Sequence, residues 1–317
     1  MSWLVLGGSG FVGSAVLRAL RSAGIEAQAA AAPRLSTGAD TLPELVAAAH
    51  SVDIDDLCAV VAGHDVVVNA AGLATPSSGG GDGLLGANAL LPTVVARAAA
   101  HAGVRRVIHL SSAAVQGRTS LLDETATVRP FSAYSRSKAL GEQALALAAA
   151  DRPHLSVVTV RATSVQGRGR PTTAALVRLA RSPLASVSAP GEARTPVTSV
   201  EALADLVLAV GTYEDPVPPV VLQPWEGLTV RSVLEASGGR PLVLPTALCR
   251  AVVSGGYAAS SLLGGRLDGH VRRAELLWFG QDQVPGWAER AGVVPAQRIR
   301  QVLGSDVDGR TENDSSA

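Results

Sequence analysis

The segment Leu4-Val-Leu-Gly7-Gly-Ser-Gly10-Phe-Val-Gly13 leaves this 317-residue chain few folds to choose from. A short apolar run ends in glycines three apart, and helical spacing (Val12, Val16, Leu17, Leu20) follows at once. A strand that turns straight into a helix leaves unpaired backbone N–H groups and the positive end of the helix dipole at the turn. Gly7 allows the tight turn, Gly10 lets a diphosphate approach the backbone, and Gly13 lets the helix pack closely on the strand. The expectation is a dinucleotide site cradled by Gly7, Ser9, Gly10, Phe11, Val12 and Gly13.

The rest of the first half alternates short apolar runs with helical patterns, which predicts βαβ units and a parallel sheet. Strands are expected at residues 2–6, 25–31, 65–69, 106–111 and 155–161, and helices at 12–23, 55–62, 84–102 and 132–150. Residues 42–52 read as a helical piece with a poorly marked third strand, and the Gly/Ser-rich stretch 77–83 as a loop. Beyond Gly167, prolines such as Pro171, Pro183, Pro190 and Pro196 punctuate shorter elements. The expected class is α/β: a doubly wound parallel Rossmann-type sheet over residues 1–168. A smaller, less regular C-terminal substrate-binding region covers 169–304, with some segments returning to the sheet. Residues 305–317 have almost no apolar content and are expected to be a disordered tail.

Composition excludes several classes. The 27 Lys+Arg cancel the 27 Asp+Glu, whereas a nucleic-acid protein carries a basic excess. Apolar residues at 47% against 17% charged supply ample surface to bury against the entropy of folding. No span is expected to cross a membrane, which needs about 20 mostly apolar residues. The apolar segment 248–263 reads as a wall of the substrate pocket rather than a surface resting on a membrane. Cys58 and Cys249 form no disulfide framework, and no signal peptide precedes the first strand, so a cytoplasmic location is expected. The six histidines show no metal-type spacing, so no metal site is expected.

Two constellations carry chemistry. Tyr134 and Lys138 are four apart, on one side of a predicted helix, where an ammonium would lower the pKa of the phenol and fit it for proton transfer. Ser111-Ser112 ends a predicted strand at the carboxyl edge of the sheet, where such sheets bind ligands. The second strand ends in Ala29-Ala-Ala-Ala-Pro-Arg34 without the acid that usually holds the ribose hydroxyls of NAD. The cofactor is NADP or NAD, with Arg34 favouring NADP through a 2′-phosphate.

In these residues the chain resembles the extended branch of the short-chain dehydrogenase/reductase superfamily, which includes sugar epimerases and ketoreductases. The resemblance adds Val68-Asn-Ala-Ala-Gly72, Asn88, Leu110-Ser-Ser-Ala-Ala-Val-Gln-Gly117, Arg161 before Val165-Gln-Gly167, and Trp287-Ala-Glu-Arg-Ala-Gly. It implies an NAD(P)-dependent oxidoreductase or epimerase with Ser112 as the catalytic hydroxyl and Tyr134 as the acid/base. Lys138 would hold the ribose, while Ala70, Ala71, Asn88 and Ser111 line the cofactor groove. On the substrate side it points to Ser164, Gln166, Arg168 (with Arg170 beyond Gly169) and Arg194. It also implies a nucleotide-activated sugar as substrate, and a homodimer through helices 84–102 and 132–150. The alternatives are a hydroxysteroid- or flavonoid-like ketoreductase and a non-catalytic NAD(P)-binding regulator. Sugar 4,6-dehydration is set aside, because Ala113-Ala114 replace the Asp-Glu pair that would move its protons. Arg272-Arg273 reads as a solvated helix face.

Overall fold

The computed structural model describes residues 1–74, 81–150, 152 and 154–305. The chain begins β1 (Trp3–Leu6), α1 (Phe11–Ser22), β2 (Ala27–Ala30), α2 (Leu42–Ser51), α3 (Asp55–Val61) and β3 (Val66–Asn69). Next come α4 (Gly81–Leu85), a π-helical turn at Gly86–Leu90, α5 (Leu91–His101) and β4 (Arg106–Ser112). A 3₁₀ turn (Ala113–Gln116), β5 (Leu121–Leu122), α6 (Ala133–Ala150), β6 (Ser156–Ala162), β7 (Ser164–Gln166) and α7 (Pro171–Ala180) follow. The remainder is β8 (Ser186–Ser188), β9 (Val197–Ser199), α8 (Val200–Thr212), β10 (Val220–Leu222), α9 (Val230–Ala236) and β11 (Leu242–Leu244). It closes with α10 (Thr246–Leu262), α11 (Asp268–Phe279), β12 (Asp282–Gln283) and α12 (Trp287–Arg290), and a helix at 299–305.

Six strands form one parallel sheet in the order β10-β6-β4-β3-β1-β2. Both of its faces are covered, and the strand alternation of two sorts side chains between two cores. Trp3, Val5, Val66 and Val68 pack with α1 and α8 on one face. Leu4, Leu6 and Val67 pack with α2, α3, α5 and α6 on the other. The chain leaves β1 for β2 on one side and reaches β3 on the other, so the sheet switches direction between β1 and β3. In open α/β sheets that crevice is where ligands bind. The last sheet strand, β10, and the core helix α8 lie beyond residue 168, so the second half does return to the sheet. Outside it, the pairs β7–β9, β8–β11 and β5–β12 build small parallel ribbons.

Several local expectations need correcting. No strand forms in 42–52: Leu45 and Ala49 are the buried residues, one helical turn apart, and the whole segment becomes α2. The stretch 77–83 is not all loop, since α4 starts at Gly81; residues 77–80 lie outside the described residues. Helix 84–102 therefore begins earlier and carries a π-turn. Ser305 belongs to the last helix, while 306–317 lie outside the described residues. The stretch Gly81–His101 has mean hydropathy 1.3, and 72% of that window is buried inside the protein, the setting of a core helix. Leu91 through Ala96 are buried within the chain. On α6, by contrast, Arg136, Gln143, Ala146 and Leu147 remain exposed.

Candidate active site

The glycine loop joins β1 to α1 at the switch crevice. Gly7 adopts a φ of +78°, and a Cβ there would lie 2.9 Å from the backbone nitrogen of Ala71. Gly13 is more constrained: its Cβ would stand 2.2 Å from the Gly7 carbonyl oxygen, so helix and loop pack without room for a side chain. Gly10 caps α1 with no side-chain hydrogen bond, and the first turn contains no acid. Its unpaired N–H groups and dipole are left for an anion. A Cβ on Gly10 would meet only the Gly7 oxygen, at 3.2 Å. The cradle thus fits a diphosphate, with Ser9 exposed, Phe11 and Val12 half-buried and the half-buried Ala70 and Ala71 at the end of β3 opposite. Gly10→Val is expected to abolish dinucleotide affinity in a fluorescence titration while leaving the thermal melt nearly unchanged. Retained affinity would reduce the loop to a structural turn.

Beside this crevice the chain brings Ser112, Tyr134 and Lys138 together. Ser112 ends β4, its hydroxyl accepts from the Ala114 N–H at 3.2 Å, and the Tyr134 phenol lies beside it. Lys138, one turn along α6, is buried and donates to the Leu110 carbonyl at 2.8 Å. A Cβ on Gly72 would lie 3.1 Å from its Nζ and 2.9 Å from Asn88 Oδ1, so Gly72 leaves the floor of the groove open. Asn88 sits in the π-turn, a deviation that re-aims side chains at functional sites. It binds the Leu73 backbone in both directions and donates to Ser137 Oγ at 3.0 Å.

The electrostatics differ from the expectation. Burial pushes the Tyr134 phenol above its ordinary value, and the neighbouring Ser112 hydroxyl and Arg170 only partly oppose it. Burial brings Lys138 itself down to about 8, with Glu142 opposing the shift. Burial and then Lys138 hold the enclosed His109 imidazole well below its usual range. The cation near Tyr134 is Arg170, whose guanidinium lies over the Phe11 ring at 4.8 Å and donates to the Val165 carbonyl.

Ser111 does not present its hydroxyl to the groove. Neighbouring residues on a strand face opposite sides, and Ser111 donates to the buried carboxylate of Glu142. That carboxylate is held by Arg161 Nη2 at 2.7 Å and Nε at 3.1 Å, and Arg161 Nη1 reaches the Thr125 carbonyl at 2.7 Å. Arg34 is exposed beyond β2.

On the other side of Ser112 lies a cavity of about 200 Å³. Ser112, Ser164, Phe131, Arg272, Leu276 and Gln281 are among its lining residues, and the small side chains of Ala113, Ala114 and Ala162 leave it mainly apolar. Arg272 is buried, contrary to the solvated face expected: it donates to the Thr119 carbonyl at 3.0 Å and pairs with Glu275 at 2.8 Å. Three expected substrate contacts lie elsewhere. Gln166 is taken up by Ser164 and Thr173, and Arg168 is exposed. Arg194 pairs with Asp282 at 3.4 Å and lies over the Trp225 ring. Phe131, Arg272, Leu276 and Gln281 were not legible as lining residues; α11 reaches the cavity only through tertiary packing. Nor does 248–263 form its wall, since α11 takes that place. Among the described residues no cluster of metal-ligating side chains occurs.

No curated protein sequence matches the chain. Among solved structures, MoeE5 in complex with UDP-glucose and NAD is 21% identical, with a TM-score of 0.63 over 99% of both chains. UDP-glucuronic acid 4-epimerase from Bacillus cereus, in complex with UDP-glucuronic acid and NAD, is 18% identical, with a TM-score of 0.64 over 97% of this chain and 98% of that one. Human epimerase family protein SDR39U1 with NADPH is 21% identical, with a TM-score of 0.61 over 96% of this chain and 98% of that one. At these identities the likeness is one of fold. The family match is direct and covers residues 3–217, from β1 to the approach to β10. The chain belongs to the NAD dependent epimerase/dehydratase family, within the extended short-chain dehydrogenase/reductase superfamily.

Proposed function

We propose that this chain is an NAD(P)-dependent oxidoreductase or epimerase that acts on a keto or hydroxyl group of a nucleotide-activated sugar. The observation that carries the reaction type is the placing of Tyr134 beside Ser112 at the strand end, one helical turn from Lys138 and next to the open glycine cradle. Gly7, Ser9, Gly10, Phe11, Val12, Gly13, Ala70, Ala71 and Asn88 would hold the dinucleotide, with Lys138 at its ribose. When bound, that group supplies the hydride chemistry. Ser112 hydrogen-bonds the substrate oxygen and orients it. Tyr134, a phenol that burial holds further toward its protonated form, donates its phenolic proton to that oxygen as the carbonyl carbon is reduced. The phenolate left behind stands near Arg170, and water returns the proton. In the oxidative direction the same groups run in reverse.

The sugar reading draws on the nucleotide sugars bound by MoeE5 and the Bacillus cereus epimerase. The apolar lining of the cavity supports a second reading, a ketoreductase of a compact apolar ketone of hydroxysteroid or flavonoid type. Ala113 and Ala114 at the cavity speak against dehydration, since neither moves a proton. Cofactor oxidation with a panel of keto sugars and apolar ketones tests both, and the preferred class identifies the substrate side. Tight dinucleotide binding without turnover on either class would favour a non-catalytic regulator. For the cofactor, one charge-assisted hydrogen bond from Arg34 contributes roughly 1.5–3 kcal/mol, so NADPH is expected to bind about tenfold to a hundredfold tighter than NADH. Arg34→Ala removes most of that difference; equal affinities in the unaltered protein would assign NAD.

A further inference from the structure

We propose that the outward face of α10 docks on an anionic bilayer surface. The buried residues of this 17-residue helix are Cys249, Val253 and Ser260, which share one side at 100° per residue. The opposite side should be the polar one. Instead it carries Ala251, Ala258 and Leu262, with Leu248 beside them and Ala259 and Val252 on the flank, all exposed. Leu248 and Val252 are each 51% exposed and Leu262 88%. Ser254 interrupts this face, and the helix's one charged residue, Arg250, sits on its other flank with Ser261. The β8–β11 ribbon before the helix adds exposed Leu242 and Val243, and Leu184 stands exposed just before β8. An aliphatic surface of this extent marks an interaction site.

Charge decides what covers it. Arg250 on the helix and Arg266 just beyond its end, with Arg240 before β11 and Arg273 on α11, are exposed and have no acidic partner among the described residues. The two acids of the hairpin are already engaged: Asp268 with Arg118 at 2.6 Å, Glu275 with Arg272 at 2.8 Å. Aliphatic side chains rimmed by free arginines are complementary to acyl chains beneath anionic headgroups. A second copy of this chain, docked through the same face about a twofold axis, would set arginines against arginines. The helix lies along the surface rather than across the bilayer, since its inner side packs on α11. Because α11 also supplies Leu276 and Arg272 to the cavity, the hairpin that meets the bilayer is the one that walls the substrate side. Docking of this face is independent of the reaction catalysed.

The test is co-sedimentation of the full chain with vesicles of phosphatidylcholine alone or mixed with phosphatidylglycerol. Binding is expected only with phosphatidylglycerol and is expected to weaken with salt. The double substitution Leu248→Asp and Val252→Asp should abolish it without moving the thermal midpoint or dinucleotide affinity. Arg250→Gln and Arg266→Gln should each lower partitioning by about fivefold, a separate readout should the aspartates impair folding. A chain that stays in the supernatant with every vesicle overturns the proposal. So does equal binding to both vesicle types with unaltered partitioning of the arginine variants. A dimer in solution that the aspartates dissociate would instead assign the face to a second copy.

Discussion

Tyr134→Phe is expected to lower turnover by about 10²–10⁴-fold, the usual contribution of a positioned general acid, while dinucleotide affinity stays within a small factor of the unaltered protein. The substitution removes one hydroxyl and keeps the ring that α6 holds against the sheet. The Ser112 hydroxyl still accepts from Ala114 N–H, so the strand end keeps its shape. Steady-state kinetics with whichever carbonyl compound proves competent, paired with a dinucleotide titration, separates the two effects. Turnover like that of the unaltered protein would remove Tyr134 from the mechanism. Turnover and affinity falling together would make it a binding residue instead.

The second large effect falls on stability. Glu142→Leu leaves Arg161 only 1% exposed, without its carboxylate, and strands the Ser111 hydroxyl. Removing one partner of a buried pair typically costs about 3–5 kcal/mol, because the remaining charge is uncompensated. The expected result in urea unfolding is a drop of that size in midpoint stability with the slope unchanged. Pairing Glu142→Leu with Arg161→Met should recover much of the loss, since an apolar pair of similar volume removes the stranded charge. A single-variant loss below about 1 kcal/mol, the range of exposed pairs, would show that water reaches the pair. This network ties β4, α6 and β6 together immediately behind Ser112, so its integrity fixes the strand end on which the candidate catalytic hydroxyl stands.

Local features of the site were legible in the sequence, and features made by distant packing were not. The glycine loop is readable because strand, turn and helix are consecutive, and each glycine has its own steric reason. Tyr134 and Lys138 are readable as neighbours because helical spacing alone puts them on one side. The direction of the tyrosine's pKa shift was not, for it depends on how deeply α6 is buried and on Arg170, which arrives from another element. Nothing in the sequence distinguishes Arg168 from Arg170, because Gly169 turns the chain with a φ of +72°. Arg272 reads as one of two surface arginines until the carbonyls of Gly117 and Thr119, some 150 residues earlier, are seen to receive it. The missing strand in 42–52 has a local origin instead: Leu42, Glu44, Leu45 and Ala47-Ala-Ala49 are strong helix formers that select α2.

The catalytic reading requires that the open glycine cradle and the Ser112–Tyr134 pair serve one bound dinucleotide. A crystal structure of the protein soaked with NADPH or NADH tests this most directly. The expected density places the diphosphate on the backbone N–H groups at the start of α1, the ribose at Lys138 and the nicotinamide beside Tyr134 and Ser112. A dinucleotide bound with its nicotinamide away from Tyr134, or bound outside the β1–β3 crevice, would contradict it.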